Sequence, residues 1–400
     1  MTDASATPRR SAPTRSARRR AHGRPWGEWM TAYLFVLPAT LIIGIFGLFP
    51  IGYALYMSVH RWRIRQGRFV GLDQYEAILG DFAMFGVFLG GIALIGVAHW
   101  LWVDAFKGRD GLARWGRLAG ATALLLAGIA FSLGWQGMRE AGDARFLLGL
   151  MRTFFYGFLS VPVQISLALV LASMLFQPIK GRELYRILFF LPYVTPVVAA
   201  AAVFRNIFNP REERLANTAF SWFGIEPQRW LFETTPVVQL WFGDFFARFG
   251  VELTGFWAGP SLALLTIIVF GIWTYTGYNA VIFLAGLGGI PKELYEAAEI
   301  DGANGPQRFF GITVPLLAPV TFYLTVLGFI GTFQAFTHLY VMREAAVRDA
   351  VDTASLVIFD TFYQRNDFGM AAAQSVVLFA IILALTLLQS RLFGRKALRG

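Results

Sequence analysis

The 400-residue chain has no cysteine, which excludes disulfides, thiolate metal ligands and cysteine nucleophiles. Its four histidines, His22, His60, His99 and His338, lie far apart in sequence without ligand spacing, so no metal site is expected. Charge is scarce too: 15% of residues are charged, against roughly 25% in ordinary globular chains. No Gly-x-x-x-x-Gly-Lys-Ser/Thr run occurs, so the chain does not hydrolyse ATP in the P-loop manner. What is abundant is apolar. Hydrophobic residues make up 56%, mean hydropathy is +0.54, and the apolar residues come in runs longer than a soluble core uses. The composition is that of an integral membrane protein.

A spanning helix needs about 20 mostly apolar residues. Eight stretches qualify, which predicts an all-α fold of about eight transmembrane helices: Thr31–Val59, Phe82–Val103, Leu118–Gln136, Phe146–Leu175, Tyr185–Phe208, Ser261–Leu287, Leu316–Met342 and Gly369–Leu392. No Asp or Glu lies within any of them, while Arg152 and Arg205 stand near span ends, where a long side chain can reach the interface. Outside the spans, Asp244 to Arg248 reads as a short interfacial helix.

The formal charge of +10 depends for its meaning on where the basic residues sit. Arg9, Arg10, Arg15, Arg18, Arg19, Arg20 and Arg24 crowd a segment with almost nothing to bury, which reads as a disordered basic tail over residues 1–29. It suits setting topology or touching anionic membrane lipids, and no nucleic-acid partner is expected. With both termini placed in the cytosol, the inner segments hold twenty Lys and Arg and the outer ones thirteen, while acidic residues lean outward. The bias of cationic loops toward the cytosol therefore predicts both termini inside and residues 209–260 outside.

The most informative segment joins the sixth and seventh spans, residues 290–316. Pro291 suits the first helical position, Glu293 sets an acid against the positive helix end, and Lys292 and Glu296 have i,i+4 spacing. Leu294, Ala297, Ala298 and Asp301 recur at helical spacing. Gly302 and Asn304-Gly305-Pro306 then end the helix and turn the chain. The pattern predicts a short helical hairpin outside the membrane, either a simple connector or a shape for docking into a groove of a partner.

In this segment Glu296-Ala297-Ala298, Gly302, Ile312 and Val314-Pro315, with Asp301 and Ala303 beside the glycine, resemble the cytoplasmic EAA loop of binding-protein-dependent ABC importer permeases of the carbohydrate-uptake type. Val314 departs from the usual Leu. Tyr33-Leu-Phe-Val-Leu-Pro38, Phe69 to Tyr75, Leu188-Phe-Phe-Leu-Pro192, Phe208-Asn-Pro210, Gly331 to Phe336 and Phe368 to Ala373 are similar to the same family. One region departs from it. After Tyr75 the family proceeds soon to its next core helix, whereas this chain inserts about sixty residues, a two-span hairpin over 82–142 whose basic turn holds Lys107, Arg109, Arg114 and Arg117. The resulting organisation is a first core span and outer loop over 30–81, the inserted hairpin, a core permease domain over 143–395 and a tail over 396–400. The hairpin either packs against lipid or takes part in transport.

The resemblance implies a type I ABC importer transmembrane domain in a bacterial inner membrane, a non-catalytic subunit that binds no cofactor. Its partners would be a second homologous permease subunit, two ATPase subunits holding ATP and Mg, and a periplasmic or lipid-anchored solute-binding protein. Glu296, Ala297, Ala298, Asp301, Gly302, Ala303, Ile312 and Pro315 would couple to the ATPase. Tyr278, Asn279, Thr332 and Gln334 would line the substrate pathway, although aromatic residues near an interface also serve as belt anchors. The spans offer no deep Lys or Arg for an anion, which favours a neutral oligosaccharide over a phosphorylated polyol. An ion-coupled secondary carrier or a membrane-integral enzyme would need buried acids or a catalytic cluster in the spans.

Overall fold

The computed structural model describes residues 26–107, 111–250, 253 and 255–394, and divides the chain into two compact units, residues 1–53 and 54–400. The seven tail arginines, His22, Arg109 and residues 395–400 lie outside the described residues, as do the side chains of Lys107, Arg114 and Arg117. The first unit holds α1 (Trp26–Ile43), which carries Pro38 inside it, a π-helical turn, Gly44–Leu48, and the start of α2 (Phe49–Ser58), whose last turn belongs to the second unit. Phe35, Phe46 and Phe49 stand exposed. A helix apolar all round needs a nonaqueous surrounding.

The second unit opens with a departure from all-α: β1 (His60–Trp62) and β2 (Gln66–Phe69) form a small antiparallel hairpin. After α3 (Asp73–Leu79) come α4 (Phe82–Lys107) and α5 (Gly111–Ala141), which are the two expected inserted spans and pack on each other along their length. Glycines make that approach possible, since a Cβ at Gly134 would stand 2.5 Å from the Phe88 backbone nitrogen and one at Gly91 2.8 Å from that of Phe131.

The core begins with α6 (Ala144–Phe176), a 33-residue helix capped by the Asp143 carboxylate on the Phe146 N–H. The sequence predicted one continuous span over 185–208. Instead α7 (Arg182–Val194) and α8 (Val197–Ile207) meet at 94°. Pro196 lacks an N–H and forces Thr195 into an extended conformation (ψ 134°), which ends α7. On the loop beyond lie α9 (Leu215–Ser221) and α10 (Val237–Ala247), the latter longer than the expected interfacial helix. A straight span, α11 (Leu262–Gly288), leads into α12 (Lys292–Ile300).

The next expected span also breaks. The sequence α13 (Gly305–Arg308), a π-helical turn at Phe309–Thr313 and α14 (Val314–Leu316) meets α15 (Ala318–Phe333) at 65°. The chain then breaks at Gln334 before α16 (Thr337–Met342), so the helix does not continue to Met342 as expected. Two short helices, α17 (Arg348–Val351) and α18 (Ala354–Tyr363), precede the last span, α19 (Phe368–Gln389). Among the described residues six helices are long and apolar enough to cross a membrane, or eight if each bent pair counts as one span.

Two apolar clusters flank α6. One gathers Leu147, Val161, Ile165, Phe283, Leu324 and Phe333, and the other Phe155, Ile267, Phe270, Leu339 and Leu356. Between them runs a polar seam. Arg145 at the start of α6 reaches Asp352 at 2.8 Å and Asp360 at 2.6 Å, and Arg343 reaches the same carboxylates at 3.0 and 3.2 Å. The two aspartate side chains are 1% exposed. Burial alone would raise the Asp360 pKa, but hydrogen bonds from Arg343 and Arg145 outweigh it and hold the carboxyl below its ordinary value.

A carboxyl depressed in the folded state contributes stability that is present above the unfolded pKa, about 4, and is lost as pH falls through the folded value. Melting of the purified protein in detergent should therefore be flat from neutral to mildly acidic pH and fall steeply below about pH 4. Asp360→Asn should lower stability at neutral pH by about 3–5 kcal/mol, because it leaves two arginines facing one carboxylate. An unchanged melting temperature in that variant at pH 7 would show that the seam is dispensable.

Candidate functional site

The predicted hairpin is present, with its geometry fixed at both ends. Pro291 sits at the N-cap of α12, one place before the expected first helical position, because its ψ of 133° is extended. Asp301 ends the helix and Gly302 follows at φ +80°. The Gly302 N–H donates to Glu299 O at 3.0 Å and the Ala303 N–H to Ala298 O at 2.9 Å. This is a Schellman closure, which needs a left-handed residue just past the helix end. Nothing lies within 4 Å of a Cβ built on Gly302, so conformation rather than space demands glycine there.

The returning helical arm is built as firmly. Asn304 and Gln307 form a reciprocal capping box, at 2.8 and 3.0 Å, with Pro306 in the first turn. The Tyr295 hydroxyl lies 2.9 Å from Thr313 Oγ1 and joins α12 to the π-helical turn. The expected Lys292–Glu296 pair does not form among the described ion pairs. Arg308 instead bridges to Glu299 at 3.1 Å across the hairpin. Both partners are partly exposed, so this bridge adds little stability.

All eight residues singled out in the sequence fall on this one structure. Glu296, Ala297, Asp301, Gly302 and Pro315 are exposed, while Ala298, Ala303 and Ile312 are half-buried. Beside them Ile300 is 88% and Phe310 70% exposed. The hairpin thus presents four acidic side chains, Glu293, Glu296, Glu299 and Asp301, around bare apolar ones.

The four pathway residues fall into two groups. Tyr278, half-buried on α11, stacks on Tyr193 of α7 with centroids 4.4 Å apart, and Tyr193 also meets Tyr275 at 6.0 Å. Asn279 is buried, and its amide has no hydrogen-bond partner among the described residues. At the end of α15, Thr332 turns back to its own helix, donating to Phe329 O at 3.0 Å and packing against Gly157 of α6, while Gln334 is exposed at the break. No described contact joins the two groups. Sequence reasoning missed Tyr193. Its signal was the prolines Pro192 and Pro196 on either side of it, which bend the chain and bring α7 onto α11.

That packing is close. A Cβ at Gly277 would collide with the Phe189 carbonyl of α7, whereas at Gly288 it would meet nothing within 4 Å. Gly277→Ala should therefore push α7 away, separate Tyr193 from Tyr278 and cost about 1–3 kcal/mol, seen as a lower melting temperature in detergent. Gly288→Ala should leave melting unchanged, and equal effects from the two would refute the close approach.

Residues 146–397 match the family model described as "Binding-protein-dependent transport system inner membrane component". The arabinooligosaccharides transport system permease protein AraP of Halalkalibacterium halodurans is 34% identical over 251 residues, covering 62% of this chain and 71% of that protein. The trehalose/maltose transport system permease protein MalF of Thermococcus litoralis is 30% identical over 250 residues, covering 62% and 75%. The sn-glycerol-3-phosphate transport system permease protein UgpA of Rhizobium meliloti is 30% identical over 259 residues, covering 64% and 79%. A chain in the crystal structure of a bacterial ABC transporter involved in the import of the acidic polysaccharide alginate superposes with a TM-score of 0.61 at 17% identity, covering 92% of this chain and 96% of that one. It shares the fold. With the matched range taking in α6, the broken spans, the hairpin and α19, the chain belongs to the binding-protein-dependent transport system inner membrane components.

Proposed function

We propose that the chain is one of two permease subunits of an ATP-driven, binding-protein-dependent carbohydrate importer, and that the 290–316 hairpin couples it to a separate ATPase. The observation that carries this reading is the doubly capped hairpin. The Schellman closure at Gly302 and the capping box at Asn304 make a rigid lever with exposed acids and apolar side chains at its tip. Such a surface fits a basic-rimmed groove on a partner. A second homologous permease subunit would complete the pathway, two ATPase subunits would bind ATP and Mg, and a solute-binding protein would deliver substrate. The alginate importer has also been crystallised in complex with an alginate pentasaccharide-bound periplasmic protein.

Carbohydrate is the favoured cargo because stacked tyrosines offer flat faces to sugar CH surfaces and the unpartnered Asn279 amide offers donors and an acceptor. Tyr278, Asn279, Thr332 and Gln334 are the proposed contacts, with Tyr193 added. The names of the relatives AraP and MalF point the same way. Ion coupling is disfavoured, since no Asp or Glu stands between residues 184 and 211 or between 302 and 343, the stretches holding both bends.

A β-branched residue at the positive φ of Gly302 should strain the turn by about 1–3 kcal/mol, and Glu296→Lys should invert charge at the docking face. Both Gly302→Val and Glu296→Lys should insert normally, yet reduce co-purification of the ATPase and sugar uptake into vesicles. Wild-type association and uptake in both variants would remove the hairpin as the coupling element.

Both termini are placed in the cytosol and residues 209–260 outside. The absence of native cysteine makes this simple to test, because Glu226 is exposed. Glu226→Cys should react with an impermeant maleimide added to intact cells from which the outer membrane barrier has been removed. Labelling only in inverted vesicles would reverse the topology.

A further inference from the structure

Away from the tyrosine group, at the end of the bundle that carries α10, lies a cavity of about 800 Å³. It is walled by α6, the end of α5, α10 and α17, and none of Tyr193, Tyr275 and Tyr278 lines it. Its lining includes Arg139, Arg152, Asp244 and Asp349, with Phe155 and Phe246 as apolar walls. Arg152 is buried, and its guanidinium donates only to the backbone carbonyls of Asp352, at 3.1 Å, and Asp349. None of the four charged side chains forms an ion pair among the described residues.

We propose that this cavity binds the headgroup of a zwitterionic phospholipid. Arg139, Asp244 and Asp349 are exposed at the mouth of this open cavity and Arg152 is buried in its wall, and cations and anions meeting at one mouth favour an occupant with separated charges of both signs. An anionic headgroup would be repelled by both carboxylates, and a neutral sugar would gain nothing from the charges of either sign. The volume lies within the ordinary range for small-ligand sites, roughly 300–1,000 Å³, enough for a headgroup with the acyl chains leaving past the phenylalanines. The source of the ligand is indicated by α10 itself. At eleven residues it is too short to span, yet Trp241, Phe242 and Phe245 stand exposed on it. That pattern marks a helix lying in the membrane interface, and Asp244, Phe246 and Gly243 of the same helix form the cavity wall. Arg139 comes from the inserted hairpin, which thereby completes the site. The inference rests on the membrane reading alone and does not require the importer reading.

Native mass spectrometry of the purified full-length protein, titrated with phosphatidylethanolamine or phosphatidylglycerol, reads the site without any transport assay. Phosphatidylethanolamine should be retained about fivefold more tightly, the discrimination expected where one partly exposed charge pair is made or lost. The double variant Asp244→Asn, Asp349→Asn leaves two arginines and should reverse the preference toward phosphatidylglycerol. In Gly243→Phe the added ring should fill the cavity and abolish retention, since a Cβ there meets only the Gln239 side chain at 3.8 Å. Equal retention of the two lipids by the wild type, an unchanged preference in the double variant, or an adduct that survives Gly243→Phe would each overturn the proposal.

Discussion

The core of this molecule depends on the polar side chains along the first half of α6. An apolar protein in an apolar surrounding can hold charge inside only if each charge meets a partner and each lone pair a donor. Arg145, with Arg343, answers both Asp352 and Asp360, and the Arg152 guanidinium reaches backbone carbonyls in the same loop. Thr153 accepts from the Ala354 N–H at 3.0 Å, and the Tyr156 hydroxyl lies 2.6 Å from His338 Nε2. At the helix entrance Asp143 caps α6 with one oxygen and takes the Gln374 amide of α19 with the other. One face of one helix thereby fixes α16, α17, α18 and α19.

This seam explains how the chain tolerates so many short elements. α16, α17 and α18 are too short to span, and each helix end carries backbone groups that need partners. The side chains of α6 supply some of them, and the ion pairs hold the segment in a single place. At the opposite end of the bundle the same requirement is met locally, by the Schellman closure at Gly302 and the capping box at Asn304. The two ends therefore differ in kind. One is tied laterally to α6, and the other is self-contained and projects from the ends of α11 and α15. A self-contained projection can move as a unit without breaking bonds inside it, which is the mechanical property a lever requires.

The hairpin was the most legible feature because its signals are local: Gly302, Asn304, Gln307 and Pro306 each act within four residues. The spans were legible as apolar mass but not as shape. Composition cannot distinguish a straight helix from two pieces meeting at 94°, and only Pro192 and Pro196 hinted at the break. The ion-pair seam was invisible for another reason. Arg145 and Asp360 are 215 residues apart, and nothing in either neighbourhood announces the other. Lys292 and Glu296 show the converse error, where the expected i,i+4 partners remain separate while Glu299 finds Arg308 across the turn. Local spacing permits a contact, and tertiary placement decides whether it is made.

The inserted hairpin shows how a fold can accept sixty residues without losing its register. Gly80 closes α3 at φ +76°, and the Asp143 N–H on the far side of the insertion donates to Ile78 O at 3.2 Å. A Cβ on Gly142 would stand 2.6 Å from the Gly80 nitrogen and 2.7 Å from Ile78 O, so only glycine permits the two ends to lie this close. The entry and exit of the hairpin are in effect neighbours in the core, and α3 and α6 keep the relation a short loop would give them. The hairpin is held by the glycine contacts between α4 and α5 and, at its ends, by Met138, which is buried in the core cluster, and by Phe85, Phe88 and Trp135, which pack against that cluster. Its effect on the rest is confined to what its ends present. Arg139, near the end of α5, is the residue that turns an otherwise separable pair of helices into part of the cavity wall beneath α10.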